Sequence, residues 1–196
     1  MLRTYSETSL HKNVAFPAGD AVAPYGDVRH ERAPRMPPVV GASESFASLQ
    51  QIIAMATQAD ALKLRLDTAQ WKQFAAYLQP FSVETGQSVI VQGASDTSVY
   101  FVESGALHVH YASTSGKLRL ALVGPGSVVG EGAFFSHAPR NATVAVASTS
   151  RLWMLNPMRY SELAHRNPAL ALSVVTALAG VLARRTGNRP RRAAVT

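Results

Sequence analysis

The stretch VVGEGAFFSHAPRNATV, residues 128–144, decides how the rest of the chain is read. Gly130, Glu131 and Gly132 place a lone carboxylate between two glycines, a composition suited to a tight turn. The turn feeds a short helix through Ala133, Phe134 and Phe135, and free N–H groups at such a helix start favour an anion. Nine residues after Glu131, Arg140 offers a planar fork of donors, the side-chain shape best matched to a phosphate. The main-chain N–H groups of Asn141 and Ala142 follow directly and can face the same hollow. One acceptor, one fixed cation, several backbone donors and an apolar lining suit a small ligand with a hydroxyl and a single phosphate. The competing reading makes Glu131 and Arg140 a surface ion pair, contributing at most ~1 kcal/mol.

Outward from this stretch the texture is β from Phe81 to Leu155. Short runs stand at Ser88–Gln92, Ser98–Glu103, Ala106–Ala112, Leu118–Val123, Ala142–Ala147 and Arg151–Leu155. Turn signals part them at Thr85-Gly86, residues 93–96, Ser104-Gly105, Ser115-Gly116 and residues 124–126. Strands so short and so regularly spaced predict a sandwich, roll or barrel. Before them, Phe46, Leu49, Ile53 and Ala56 recur at helical spacing, predicting a helix from about Glu44 to Ala59. Asp67 with Gln70 forms a capping box ahead of Trp71, Phe74, Ala75 and Leu78. After the strands, Met158–His165 reads as a short helix. Asn167-Pro168 then opens a longer one through Leu170, Val174, Leu178, Val181 and Leu182, ending near Gly187.

With those elements in order, the pattern G-E-x-A-x-x-x-x-x-P-R-x-A-T-V resembles the phosphate-binding cassette of cyclic nucleotide-binding domains. Such domains occur in catabolite activator proteins, cyclic nucleotide-dependent kinases and gated channels. The flanks match too: Gly86-Gln87-x-Val89-Ile90, Gln92-Gly93, Tyr100-Phe101-Val102 with Ser104-Gly105, and Gly124-x-Gly126. The resemblance implies a mainly β fold with flanking helices, a β-roll or jelly roll. It assigns Glu131 to the ribose 2′-hydroxyl, Arg140 to the cyclic phosphate, and the N–H groups of Asn141 and Ala142 to the phosphate. Gly130, Gly132 and Ala133 complete the ligand-binding set. In the resembled bacterial regulators the C-terminal helix dimerises and its end can lie over the purine, which by position makes Arg185 and Thr186 base contacts; Val129, just before Gly130, is a further candidate. The ligand implied is cyclic AMP, the family's commonest, with cyclic GMP left open by Asn141. The chain departs from the family at Val129, where an aromatic is common, at Gly132, where Leu or Met is, and at Asn141, where a small or hydroxyl residue is.

The chain has 196 residues, 47% hydrophobic and 16% charged, which suits a globular domain with extensions. It has no cysteine, excluding disulfides, thiolate metal sites and cysteine nucleophiles. No apolar run was expected to approach the ~18 residues of a membrane span. With no secretory signal in MLRTYSETSLHKN, a cytoplasmic protein is expected. The organisation expected is a flexible arm over 1–43, rich in proline, and a helical lead-in over 44–66. The cyclic nucleotide-binding domain with its C-terminal helix spans 67–186, and a basic tail 187–196. The net charge of +7 is concentrated past Leu163, in Arg166, Arg184, Arg185, Arg189, Arg191 and Arg192.

Three functions follow. The first is a non-catalytic cyclic nucleotide sensor, without cofactor or metal, that signals through its C-terminal helix to a protein partner or a second copy. The second is a nonspecific nucleic-acid or acidic-partner binder working through the arginines. The third is a family member with an empty pocket, acting as an interaction module. Ten residues after Thr186 are too few for a helix-turn-helix, so no sequence-specific DNA-binding module is expected. His108 and His110, two apart on one strand, invite a metal reading, but alternation would turn Leu107, Val109 and Tyr111 to the core and both histidines to solvent.

Overall fold

Two long strands carry the architecture. In the computed structural model, which describes residues 46–113 and 116–187, β3 (Val99–Ser113) and β6 (Thr143–Leu155) pair antiparallel along most of their length. β1 (Gln79–Val83) and β2 (Ser88–Ile90) pair with β6, while β4 (Gly116–Val123) and β5 (Val128–Val129) pair with β3. All pairings are antiparallel. Four of the expected runs therefore merge into two strands. Ser104-Gly105 marks a bend inside β3, where the register shifts and Gly105 takes φ +86°. A side chain there would press on the Thr149 carbonyl at 2.6 Å, so only glycine lets the strand fold over β6.

Period-2 alternation puts both faces of β3 to use. Val99 and Phe101 face a core built with the helices, while Tyr100 and Val102 face the interior of the roll. On β6, Trp153 and Leu155 join the helical core, and Leu152 and Met154 the roll. The helices are α1 (Phe46–Met55), α2 (Thr68–Ala75), α3 (Glu131–Ser136), α4 (Pro157–Arg166) and α5 (Pro168–Gly187). The expected capping box is present: Gln70 N donates to Asp67 Oδ1 at 2.8 Å and Asp67 N to Gln70 Oε1 at 3.0 Å. Asn167 caps α5 through Leu170 N at 3.1 Å, and its own amide donates to Gln73 on α2.

Leu170, Ala171, Val174, Ala177, Leu178 and Val181 make α5 a core helix on one side. Its outer side, Ala169, Leu172, Thr176, Ala179 and Ala183, is exposed, and no charged residue occurs between Pro168 and Ala183. This corrects the expectation that no run nears membrane-span length, since Pro168–Gly187 is long and apolar enough by composition alone. Packing in the domain core accounts for the apolar character of its inner face alone.

The histidine reading is also corrected. A register shift between Val109 and His110 reverses the alternation, so His110 is buried and Tyr111 is 42% exposed. His108 is half-buried and its Nδ1 lies out of solvent. Among the described residues no three His, Asp or Glu side chains stand close enough to hold a metal. The 1–43 arm and the tail arginines Arg189, Arg191 and Arg192 lie outside the described residues.

Candidate functional site

Gly130 opens the site. It stands between β5 and α3 with φ +93°, and a Cβ there would lie 2.6 Å from the Ser98 carbonyl and 2.7 Å from Arg140 Nη1. The left-handed turn lets two carriers of the site's chemistry meet. Glu131 begins α3 and is 7% exposed; Arg140, on the loop after α3, is 3% exposed.

The surface ion pair considered from sequence is not what forms. Arg140 takes Asp96 as its carboxylate, through Nε to Oδ2 at 3.0 Å and Nη2 to Oδ1 at 2.8 Å. Nη2 also donates to Ser98 O at 2.6 Å and Nη1 to Gly130 O at 3.0 Å. These bonds leave one Nη1 hydrogen of the five a guanidinium carries. The main chain is pinned as well, Arg140 N donating to Ala94 O and Gly93 N to Arg140 O, each at 2.8 Å. The result is a buried cation with a fixed orientation, the condition under which charge-assisted recognition is strongest. Among the described residues, the N–H groups of Asn141 and Ala142, just beyond it, meet no acceptor.

Glu131 pairs with a different cation. Arg185, in the last turn of α5, donates through Nη1 to Glu131 Oε1 at 2.8 Å and to Val128 O at 2.8 Å, and through Nη2 to Asp60 Oδ2 at 2.7 Å. Burial works against its charge, but Glu131 and Asp60 outweigh it and hold the guanidinium's pKa above its ordinary value. Tyr100 lies at the other side of the site and packs edge-on against Phe81. Burial, with Asp96 adding to it, pushes its hydroxyl up to about 12; Arg140 and Ser98 pull the other way and lose.

Of the remaining residues expected at the site, Ala133 and Ala142 are buried, Gly132 is half-buried and Asn141 is exposed. Val129 is 2% exposed in the roll core, and the Thr186 hydroxyl donates back into its own helix at Leu182 O and Ala183 O. Asp60, Asp96, Ser98 and Tyr100 were not expected at the site. In the sequence Asp96 reads only as part of the turn over residues 93–96.

The fold agrees with what the chain is similar to. Residues 80–167 match the family described as the cyclic nucleotide-binding domain. The "Acetyltransferase Pat" of Mycolicibacterium smegmatis is 32% identical over 91 residues, 46% of this chain and 27% of that protein. The "Cyclic AMP receptor protein" of Thermus thermophilus is 31% identical over 111 residues, 56% of this chain and 50% of that protein. The chain thus spans half or less of the length of these curated relatives. A crystal structure of a cyclic nucleotide-binding domain from Methylobacillus flagellatus superposes with a TM-score of 0.66 at 19% identity, covering 75% of this chain and 81% of that one. Residues 80–167 thus match the cyclic nucleotide-binding domain family, and the antiparallel sheet with its flanking helices has the β-roll fold of that solved structure. Among its relatives are both a nucleotide receptor and an enzyme that carries such a domain.

Proposed function

We propose that this chain is a non-catalytic sensor of a cyclic mononucleotide, with cyclic AMP preferred and cyclic GMP left open, acting in the cytoplasm. The observation that carries the reading is Arg140. It is buried, held as a fork by Asp96 and two carbonyls, one of them that of Gly130 itself. A guanidinium held so, beside the N–H groups of Asn141 and Ala142, suits the cyclic phosphate, and Glu131 suits the ribose 2′-hydroxyl. Gly132 and Ala133 line the same turn. Val129, Arg185 and Thr186 remain the residues assigned to the base side. The relative named for cyclic AMP supports that choice of ligand.

The output in this reading is movement of α5, which requires the nucleotide to bind one arrangement more tightly than another. The outer face of α5 is the contact for a second copy or a protein partner. Its exposed positions 169, 172, 176, 179 and 183 recur three and four apart, the spacing of a helix-pairing seam. The arginine-mediated alternative is weakened because Arg184 and Arg185 are engaged inside the domain, with Ala61 O, Val128 O, Asp60 and Glu131.

The test is calorimetric titration with cyclic AMP and cyclic GMP, using wild type, Arg140→Ala and Arg140→Lys. Losing a charge-assisted hydrogen bond costs about 1.5–3 kcal/mol, so Arg140→Ala should bind at least ~10-fold more weakly. Arg140→Lys keeps the charge without the fork and should be weakened as well, even if it folds better. Equal affinities across the three proteins would refute the assignment.

A further inference from the structure

We propose that Asp60 is a positioning residue of the nucleotide site, holding Arg185 against Glu131 and thereby coupling the lead-in segment to nucleotide occupancy. The proposal rests on the sensor reading above, and concerns a residue that touches no ligand in it.

Three separate parts of the chain meet at Arg185: α5 supplies the guanidinium, α3 supplies Glu131, and the segment between α1 and α2 supplies Asp60. Glu131 is 7% exposed, and a carboxylate so buried needs a cation nearby. It uses Oε1 for Arg185, leaving Oε2 as the oxygen to accept from a sugar hydroxyl. Fixing the guanidinium therefore fixes the orientation of that oxygen. Asp60 does this from the opposite end of the fork, at 2.7 Å.

The segment that carries Asp60 is itself fastened to the roll. Leu62 N donates to Gly126 O at 2.9 Å, just before Ser127 and the Val128 carbonyl that Arg185 also holds. Arg184 adds a second bond from α5 to the same segment, through Nη2 to Ala61 O at 2.8 Å. The end of α5 thus cannot lift from Glu131 without breaking its bonds to Asp60 and Ala61 or carrying residues 56–66 with it. On this arrangement a nucleotide that engages Glu131 is felt at the N-terminal side of the domain as well as at α5. Both charges facing Arg185 are acids, and the raised pKa of the guanidinium is consistent with a clasp that stays formed at neutral pH.

The experiment is a cyclic AMP titration of wild type, Asp60→Asn, Asp60→Glu, Arg185→Gln and the double variant Asp60→Asn/Arg185→Gln. Amide hydrogen exchange over residues 56–66 and 181–187 is followed in the same proteins. Asp60→Asn should weaken cyclic AMP about three- to tenfold and speed exchange in both segments, with partial recovery in Asp60→Glu. In the Arg185→Gln background the Asp60 change should add nothing, because the two residues act through one contact. Unchanged or tighter binding by Asp60→Asn, or effects that simply add, would overturn the proposal. If wild type itself takes up no cyclic AMP, the sensor reading fails. The clasp is then judged by exchange alone: unaltered protection of 181–187 in nucleotide-free Asp60→Asn refutes it.

Discussion

Arg140 and Glu131, nine residues apart, are each buried with an acid or base from elsewhere in the chain, and each owes its orientation to that partner. This is why their identities were legible in one stretch of sequence and their surroundings were not. Asp96 lies 44 positions from Arg140 and Asp60 lies 125 from Arg185, distances at which no periodicity or motif spacing signals contact. Gly130 offers a sharp test at this scale. A side chain at φ +93° costs about 1–2 kcal/mol in backbone strain alone, before the contacts with Ser98 O and Arg140 are counted. Gly130→Ala should therefore lower the urea midpoint and weaken nucleotide binding together; a variant as stable as wild type would contradict the turn's role. Tyr100 gives a pH test. Its folded-state pKa is raised, from the ordinary 10.0 to about 12, so the folded form holds the proton that the unfolded form releases. The stability it contributes is complete below pH 10 and is lost as pH rises through about 12. Tyr100→Phe should flatten the fall in stability across that window, and the tyrosinate absorbance of wild type should show a late-titrating group that the variant lacks.

The elements read most clearly were those with end signals. The Asp67–Gln70 box and the Asn167-Pro168 start were visible because capping chemistry is local. Two strands were missed for physical reasons. β1 contains Pro80, which has no N–H for a ladder, yet β1 sits at an end of the sheet order, where one unpaired side is tolerated. β5 is two residues long, too short to show alternation. Ser104-Gly105 carries turn chemistry, but the chain uses it to shift the register of β3 without ending the strand, and β6 likewise runs unbroken through residues 148–150. The bulge at Val109/His110 likewise inverted the expected facing of the histidines. At this scale α5 is the element to probe. Leu178 is fully buried in the helical core, so Leu178→Ala should cost about 2–5 kcal/mol in chemical denaturation. Asn167→Ala removes both a cap and a tie to Gln73, and about 0.5–2 kcal/mol is expected.

For the molecule as a whole, the fold class was readable because many short matches occurred in the right order, each weak by itself. What sequence could not show is that the lead-in, the roll and α5 converge on one guanidinium, since that junction exists only once the chain is folded. The outer face of α5 carries a last consequence. Its exposed run of Ala169, Leu172, Thr176, Ala179 and Ala183 has no charge to keep it in water, while its inner face is the core. If two copies cover that run on each other, folding and association become one equilibrium, and stability acquires a concentration dependence by mass action. The melting temperature should then climb with protein concentration, and a charge placed at Leu172, which is 65% exposed and outside the core, should abolish the climb while leaving the dilute-protein value nearly unchanged.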